Sequence, residues 1–517
     1  MGPLALRRLM GQRDGQRCQQ QILAQNGLIA SSVNKRKGSP CQQDGDSSFL
    51  KERGDCGSQD GETMICSVTD LPEDIWHHIH SLMPLRDAAH AACLSHAFLH
   101  SWRCYPNLTF NGNVFSPEGC IYGGDISHTV DCIMRNHSGT GVKILKLESF
   151  CTTHHNLNTW LRVAVKPGIE ELTLRLRIFK KKYKFPCSLL SDGVRDSIQY
   201  LELACCSFHP TAEIGPLQSL TSLHLSHVGI TGDELECLLS NALALEELEL
   251  LQCKGIICLR IPCELQRLSW LRIFACGRLK LIESKAPNLS TLEFCGDPKL
   301  SLGEALQMKN LKMLHSNVVC YARTELPSNI PNLETLELRS YDEVVNTPML
   351  PTKFLCLKHL TICLREGPLP WSYDYFSLVS FIDASPSLET LSLDVAKKPV
   401  EHELFSGHSK DLRQMGEDHH CYLKNVKITG FSGGKGLVEL ACYILKNAVS
   451  LECLALDTNY GSTRECSDSI TGRCNPRGNS LMEARRPLLA IRRYIEGKVP
   501  AKVKLTVVEP CSRCHKL

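Results

Sequence analysis

The chain has 517 residues, 43% of them hydrophobic, and carries 58 basic against 55 acidic side chains. That balance excludes a global electrostatic pull toward nucleic acid or membrane, and the length exceeds one ordinary core, so several domains or a repeat array are expected. No window offers the roughly 18 consecutive apolar residues that a membrane-spanning helix needs.

The opening run MGPLALRRLMGQRDGQR breaks its apolar stretch at Arg7 and Arg8 and makes a poor secretion signal. The 28 cysteines are scattered over a long chain. Reduced thiols, and a place in the nucleus and/or cytoplasm, are therefore expected rather than a disulfide framework. Residues 1–66 are rich in Gln, Gly, Ser, Asp and Arg without a sustained period, and read as a disordered extension. Lys35-Arg36-Lys37 is too short to argue nuclear import over a solvated tail.

From Asp70 to Trp102 the chain reads DLPEDIWHHIHSLMPLRDAAHAACLSHAFLHSW. Asp70 and Glu73 have capping-box spacing, with Pro72 in the first turn. Ile75, Ile79 and Leu82 fall on one helical face. Pro84 stops that helix. Ala88, Ala91, Cys93 and Leu94 suit a second helix, and Phe98, Leu99 and Trp102 line a third. His77 and His80 read as a polar helix face. So short a segment cannot bury all this apolar surface alone, so a packing partner is expected.

Leu71-Pro72-Glu73-Asp74-Ile75, Met83-Pro84-Leu85-Arg86-Asp87 and Leu94-Ser95 with Phe98 resemble an F-box, assigned here to residues 67–110. The resemblance implies docking on a Skp-type adaptor and, through it, a cullin scaffold. It puts Leu71, Pro72, Ile75, Leu85, Leu94, Ser95 and Phe98 at adaptor-facing or motif-defining positions. The chain departs from the family at His96-Ala97-Phe98, where a basic residue and then Trp are usual.

Residues 111–141 read as a connector, with a short helix around Val130, Ile133 and Met134. From Val142 one pattern recurs: apolar, two variable residues, apolar, one variable, apolar. It runs Val142-Leu145-Leu147, Ile169-Leu172-Leu174, Ile198-Leu201-Leu203 and Leu220-Leu223-Leu225. Leu245-Leu248-Leu250, Leu268-Leu271-Ile273, Leu289-Leu292-Phe294 and Leu311-Leu314 come next. The series closes with Leu333-Leu336-Leu338, Leu357-Leu360-Ile362, Leu388-Leu391-Leu393, Leu423-Val426-Ile428 and Leu451-Leu454-Leu456. Between Ile198 and Leu357 the starts lie 21 to 25 residues apart, the period of a leucine-rich repeat. Cys206, Cys253 and Cys276 each occupy the Asn/Cys slot of their repeat and read as turn residues rather than metal ligands. The fold class is α/β: a short helical F-box, then a solenoid over residues 142–479 with a parallel sheet on its concave face.

Residues 480–517 change character. Leu481, Leu488, Ile491 and Ile495 are spaced for an amphipathic helix with Arg485, Arg486, Arg492 and Arg493 on its wet side. Val503, Leu505 and Val507 alternate like a last strand. The segment fits the cap that an array requires, and it resembles the FBD-like tails of plant F-box/LRR proteins.

In each strand the second, fourth and sixth residues after the leading apolar one face the concave side. Those positions hold Glu171, Thr173 and Arg175, then Tyr200 and Glu202, then Ser222 and His224. Glu247, Glu249, Trp270, Arg272, Phe274, Thr291 and Glu293 follow, then Met313, His315, Glu337, Arg339, His359 and Thr361. Glu247, Glu249, Trp270, Arg272, Phe274 and Glu293 form the candidate substrate surface, since Trp, Arg and Phe are hot-spot residues. The glutamates favour a partner with basic groups around an apolar anchor. A second reading leaves Trp270 covered by a loop, doing packing only. Arg175, Arg177, Lys180, Lys181, Lys182 and Lys184 form the densest basic run, a solvated loop in preference to a phosphodegron receptor. Tyr183 alone interleaves too little aromatic surface for nucleic acid.

Cys511-Ser512-Arg513-Cys514-His515 lacks a second Cys/His pair and reads as a tail rather than a zinc site. His154-His155 and His419-His420 read as loop residues. Gly433-Gly434-Lys435-Gly436 has neither the spacing nor the Ser/Thr of a phosphate loop, and no nucleophile elbow occurs. No cofactor, no metal and no catalytic residue is expected. The plant F-box/LRR resemblance implies a non-catalytic substrate-recognition subunit of an SCF ubiquitin ligase, part of the ubiquitin conjugation pathway. The alternative is a stand-alone repeat module binding a protein or ligand, with residues 70–102 as its helical cap.

Overall fold

The computed structural model describes residues 72–94, 96–111, 127–138, 140–150, 153–177, 182–190, 193–296, 301–302, 308–341, 343, 346–365, 373–395, 412–413, 419–458 and 480–509. Asp70, Leu71, Ser95, Lys35-Arg36-Lys37, Lys180, Lys181 and the Cys511–His515 motif lie outside the described residues. Two compact units divide the chain, Met1–Glu202 and Leu203–Leu517.

In the first unit three helices open the fold: α1 Glu73–Ser81, α2 Leu85–Ala92 and α3 His96–Trp102. Pro72 is not in the first turn of α1 but is its N-cap, with ψ at 150°, and no side chain caps the helix. Proline's fixed φ suits this entry, and Glu73 and Asp74 put negative charge at the positive end of the helix dipole. Pro84 repeats the arrangement for α2.

The core of this unit is aromatic. Trp76 meets Phe98 edge-on at 4.8 Å between ring centres, and Trp102 lies 5.6 Å from Tyr105. The expected polar face at His77 and His80 is corrected by the packing. His80 is only 1% exposed, stands against Phe98, Trp102 and Tyr105, and bonds the Ala88 carbonyl oxygen through Nε2 at 2.8 Å. His77 stays at the surface, with Ser101 Oγ 3.1 Å from Nδ1.

Strands Asn107–Phe110, Ile144–Phe150 and Glu171–Leu176 then pair in parallel, with Leu108, Leu145 and Leu172 in register. The helix expected near Val130 forms as Ser127–Asn136. His154 and His155 do not lie in a loop. They open the helix His154–Ala164, whose N-cap Thr153 accepts the Asn156 N–H at 3.2 Å.

The second unit is a run of repeats. Strands Ser222–Ser226, Glu247–Leu251, Trp270–Phe274, Thr291–Cys295, Asn310–Leu314 and Thr335–Ser340 lie parallel in chain order. His359–Leu364, Thr390–Val395, Asn425–Thr429, Cys453–Asp457 and Lys504–Val508 continue the sheet. Period-2 alternation decides which side chains are buried: the second and fourth residues of nearly every strand are buried, and their neighbours face outward. One repeat is out of phase with the expectation. Leu311 and Met313 are the buried pair, led by Met308, so Met313 does not face the open side and Lys312 does.

The Asn/Cys slot is a tight turn. Cys205, Gln252 and Ala275 take left-handed φ of 59°, 51° and 53°, and the buried cysteine follows each. Cys253 Sγ donates to the Leu225 carbonyl at 3.4 Å and Cys276 Sγ to the Leu250 carbonyl at 3.7 Å. Each thiol thus reaches back to the strand before.

The glycine-rich stretch is a packing device. Gly430 has φ of 74°, and a Cβ there would overlap the Val395 carbonyl oxygen. A Cβ on Gly433 would press on Ala490 and Pro487, and one on Gly436 on Asp374. Glycine therefore lets the helix Ser480–Tyr494 approach. That helix forms as expected, with Ile491 and Ile495 buried and Arg486, Arg492 and Arg493 exposed.

Candidate functional site

Two surfaces collect the candidate residues. The first is the outer side of α1–α3. Burial of Trp76 and His80 turns the opposite side of α1 to solvent, so Ile75 and Ile79 are exposed and Leu82 is 73% exposed. Leu94, in the turn after α2, is 87% exposed. Pro72 is exposed at the helix entry, while Phe98 is half-buried on Trp76. Leu85 does not face outward: it is buried with Ala88, Ala89 and Ala92. The charged rim includes Glu73, with His100 Nδ1 at 3.1 Å and His77 at 3.8 Å.

The second surface is the open face of the sheet in the second unit. Register places Glu249, Arg272, Glu293, Lys312 and Glu337 side by side on five neighbouring strands. Arg272 is the centre of this row. Its NH1 group is 3.2 Å from Glu249, its Nε donates to Glu293 at 2.8 Å, and its Cζ stands 4.9 Å over the Trp270 ring. Burial works to lower the guanidinium pKa, but the bonds to Glu293 and the charges of Glu293 and Glu249 outweigh it and raise it. Lys312 lies 3.4 Å from Glu337, which also takes Arg339 Nε at 2.6 Å.

Trp270, Arg272, Glu249 and Glu293 are thus brought together, and Trp270 is half-buried rather than covered. Glu247 and Phe274 are exposed beside them, opposite Trp270 and Leu251 in register. Two of the three glutamates expected to recruit a basic partner already hold an arginine of their own chain.

A similar triplet occurs in the first unit. Arg175 bonds Glu202 through Nε at 2.5 Å and Glu148 through NH1 at 3.0 Å, so it is no member of a solvated basic loop. Tyr200 adds a bond to Glu202 at 2.9 Å, and burial first, then the Glu202 charge, raise its pKa. Tyr183 is buried and donates to Asn158 Oδ1 at 2.6 Å.

Sequence reasoning missed two polar clusters in the second unit, each built around a buried side chain. His420 lies 3.3 Å from Asp383 and 3.1 Å from the Tyr443 hydroxyl, which itself donates to Asp383 at 2.5 Å. Glu439, fully buried, accepts the Arg413 backbone N–H at 2.9 Å, and the Arg413 side chain reaches Asp374 at 2.6 Å. Laying the repeats in phase would have put Glu249, Arg272 and Glu293 in one column, but no pattern points from Arg413 to Glu439. Among the described residues, no group of three or more His, Cys, Asp or Glu is placed to hold a metal ion, and no helix is long and apolar enough to cross a membrane.

Known proteins resemble the chain over most of its length. The F-box/FBD/LRR-repeat protein At1g13570 of Arabidopsis thaliana is 23% identical over 78% of this chain and 94% of its own. The F-box/FBD/LRR-repeat protein At5g56420 of the same plant is 24% identical over 80% of this chain and 97% of its own. An internalin of Listeria monocytogenes aligns with 68% of this chain and 85% of its own at 12% identity and a TM-score of 0.29. The family described as At1g61320/AtMIF1, LRR domain matches residues 133–512. With its repeats matched by that family model and its F-box/LRR relatives, the chain belongs to the At1g61320/AtMIF1 leucine-rich-repeat family.

Proposed function

We propose that the chain is the substrate-recognition subunit of a cullin-based SCF ubiquitin ligase in the nucleus and/or cytoplasm. Residues 67–110 serve as the F-box, residues 142–479 as the substrate-binding solenoid and residues 480–517 as its cap. The observation that carries this reading is the exposed apolar set Ile75, Ile79, Leu82 and Leu94 beside a buried aromatic core. An apolar patch that the fold leaves bare marks an interaction site, and F-box proteins as a class bind Skp-type adaptors. Leu71, Pro72, Ser95 and Phe98 complete the proposed adaptor contact, with Leu85 supporting it from beneath.

The chemistry asked of this chain is positional. Holding a substrate lysine beside a loaded ubiquitin-transfer enzyme makes a bimolecular step effectively unimolecular, so no catalytic residue or cofactor is required here.

The test is co-purification of the full chain with a Skp-type adaptor, next to the double variant Ile75→Asp, Leu94→Asp. Both side chains are exposed, so the variant keeps its fold. A stoichiometric complex lost in the variant supports the reading. No complex with well-folded parent protein overturns it in favour of a free-standing binding module.

A further inference from the structure

The charged row on the open face neutralises itself. Glu249, Arg272, Glu293, Lys312 and Glu337 alternate in sign on consecutive strands, and contacts of 3.2, 2.8 and 3.4 Å pair them with one another. Recognition therefore falls to the rows on either side. On one side stand Leu251, Phe274 and Cys295 in register, with Leu314 following Met313 on the next strand, and all four are half-buried or exposed. On the other stand Glu247, Trp270, Thr291 and Asn310. Of these only Glu247 is charged. It lies on the strand next to Trp270, and Glu249 is two residues along.

Resting on the substrate-recognition reading, we propose that this patch binds an extended segment of a partner protein. The segment's apolar side chains lie along Leu251, Phe274, Cys295 and Leu314, and a Lys or Arg of the segment meets Glu247 beside Trp270. Geometry suits such a ligand. Four strands about 4.8 Å apart span roughly 14 Å, while an extended chain presents one side chain to a given face about every 6.6 Å. Two or three apolar side chains then fill the row. Charge selects the sign. The cations at the patch, Arg272, Lys312 and Arg339 in register with Leu314, are already held by Glu293, Glu249 and Glu337, so an acidic segment meets Glu247 with nothing to offset it, whereas a basic one gains an ion pair with Glu247.

The test uses the full chain, alone and mixed with a Skp-type adaptor, and two pools of short fluorescein-labelled peptides. Both pools alternate Leu, Val or Phe with Ser or Gly. One carries Lys or Arg at a single position, the other Asp or Glu. Fluorescence anisotropy should show the basic pool binding about tenfold tighter. Phe274→Asp should abolish binding of both, and Glu247→Lys should remove or invert the preference while leaving the fold intact. Equal or tighter binding of the acidic pool, binding unaffected by both variants, or no binding of either pool overturns the proposal. Adaptor capture is scored in the same preparations. Its failure with peptide binding retained would sink the ligase reading alone, and its success without peptide binding would sink this one alone.

Discussion

His80 joins α1, α2 and α3 as a neutral imidazole. Nε2 meets the Ala88 carbonyl of α2, the ring packs on Phe98 and Trp102 of α3 and on Tyr105, and Nδ1 has no partner among the described residues. Burial depresses its pKa, the bond to Ala88 opposes that, and neighbouring His77 adds to the depression. His137 is depressed too, by burial first, and it bonds the Tyr105 carbonyl at 2.9 Å. Tyr105 itself is pushed up to about 12 by burial and donates to the Met83 carbonyl. The sign follows. Below the ordinary imidazole value of about 6.5 the unfolded chain takes up protons that the folded one refuses, so stability is complete above that pH and falls below it. Hydrogen-exchange protection of α1, corrected for intrinsic rates, should therefore drop between pH 7 and 5.5. A His80→Gln variant, less stable at pH 7, should show a shallower slope. An unchanged slope would mean that His80 is not the titrating group.

At the scale of one repeat, the strand and its turn were legible because both answer to local rules. Strand residues alternate, and the slot before the next segment takes Asn or Cys since its side chain bonds backbone. Cys253→Val fills the space but leaves the Leu225 carbonyl without its thiol, and should cost about 1 kcal/mol in denaturant unfolding. Cys253→Asn should recover most of it. What was less legible is phase. Leu311 and Leu314 satisfy the first spacing as well as Met308 and Leu311 do, and only the third position, Met313 in one phase against Ser316 in the other, separates them before burial does. Pairing across strands was hidden for a related reason: Arg272 meets Glu249 and Glu293 through register, not sequence proximity. These ion pairs are partly exposed, so Arg272→Leu should change stability by under about 1 kcal/mol. It should nonetheless tighten binding of a basic peptide, because two carboxylates are released. A loss of several kcal/mol would show the row to be structural instead.

For the whole molecule the question is how an array of parallel strands ends. Lys504–Val508 pairs with Cys453–Asp457, and Ser480–Tyr494 lies over Gly433, with Cys442 Sγ donating to the Tyr494 carbonyl at 3.4 Å. Ile491, Tyr494, Ile495 and Val503 are all buried by this docking. At roughly 1.5–3 kcal/mol per buried side chain, their removal uncovers more than one repeat can spare. It also leaves Cys453–Asp457 as a bare edge, open to pairing with other chains. Deleting residues 480–517 should therefore fray the last repeats, with protease sites appearing first in the helix Lys435–Asn447 and aggregation rising with concentration. Nearest-neighbour coupling limits the damage, so adaptor capture by the proposed F-box should survive the same deletion. Limited proteolysis with mass spectrometry reads the first effect and pull-down the second. A truncated chain as protease-resistant as the parent would mean that the repeats end before the tail. A truncated chain that also loses the adaptor would mean that stability is shared along the entire array rather than held between neighbours.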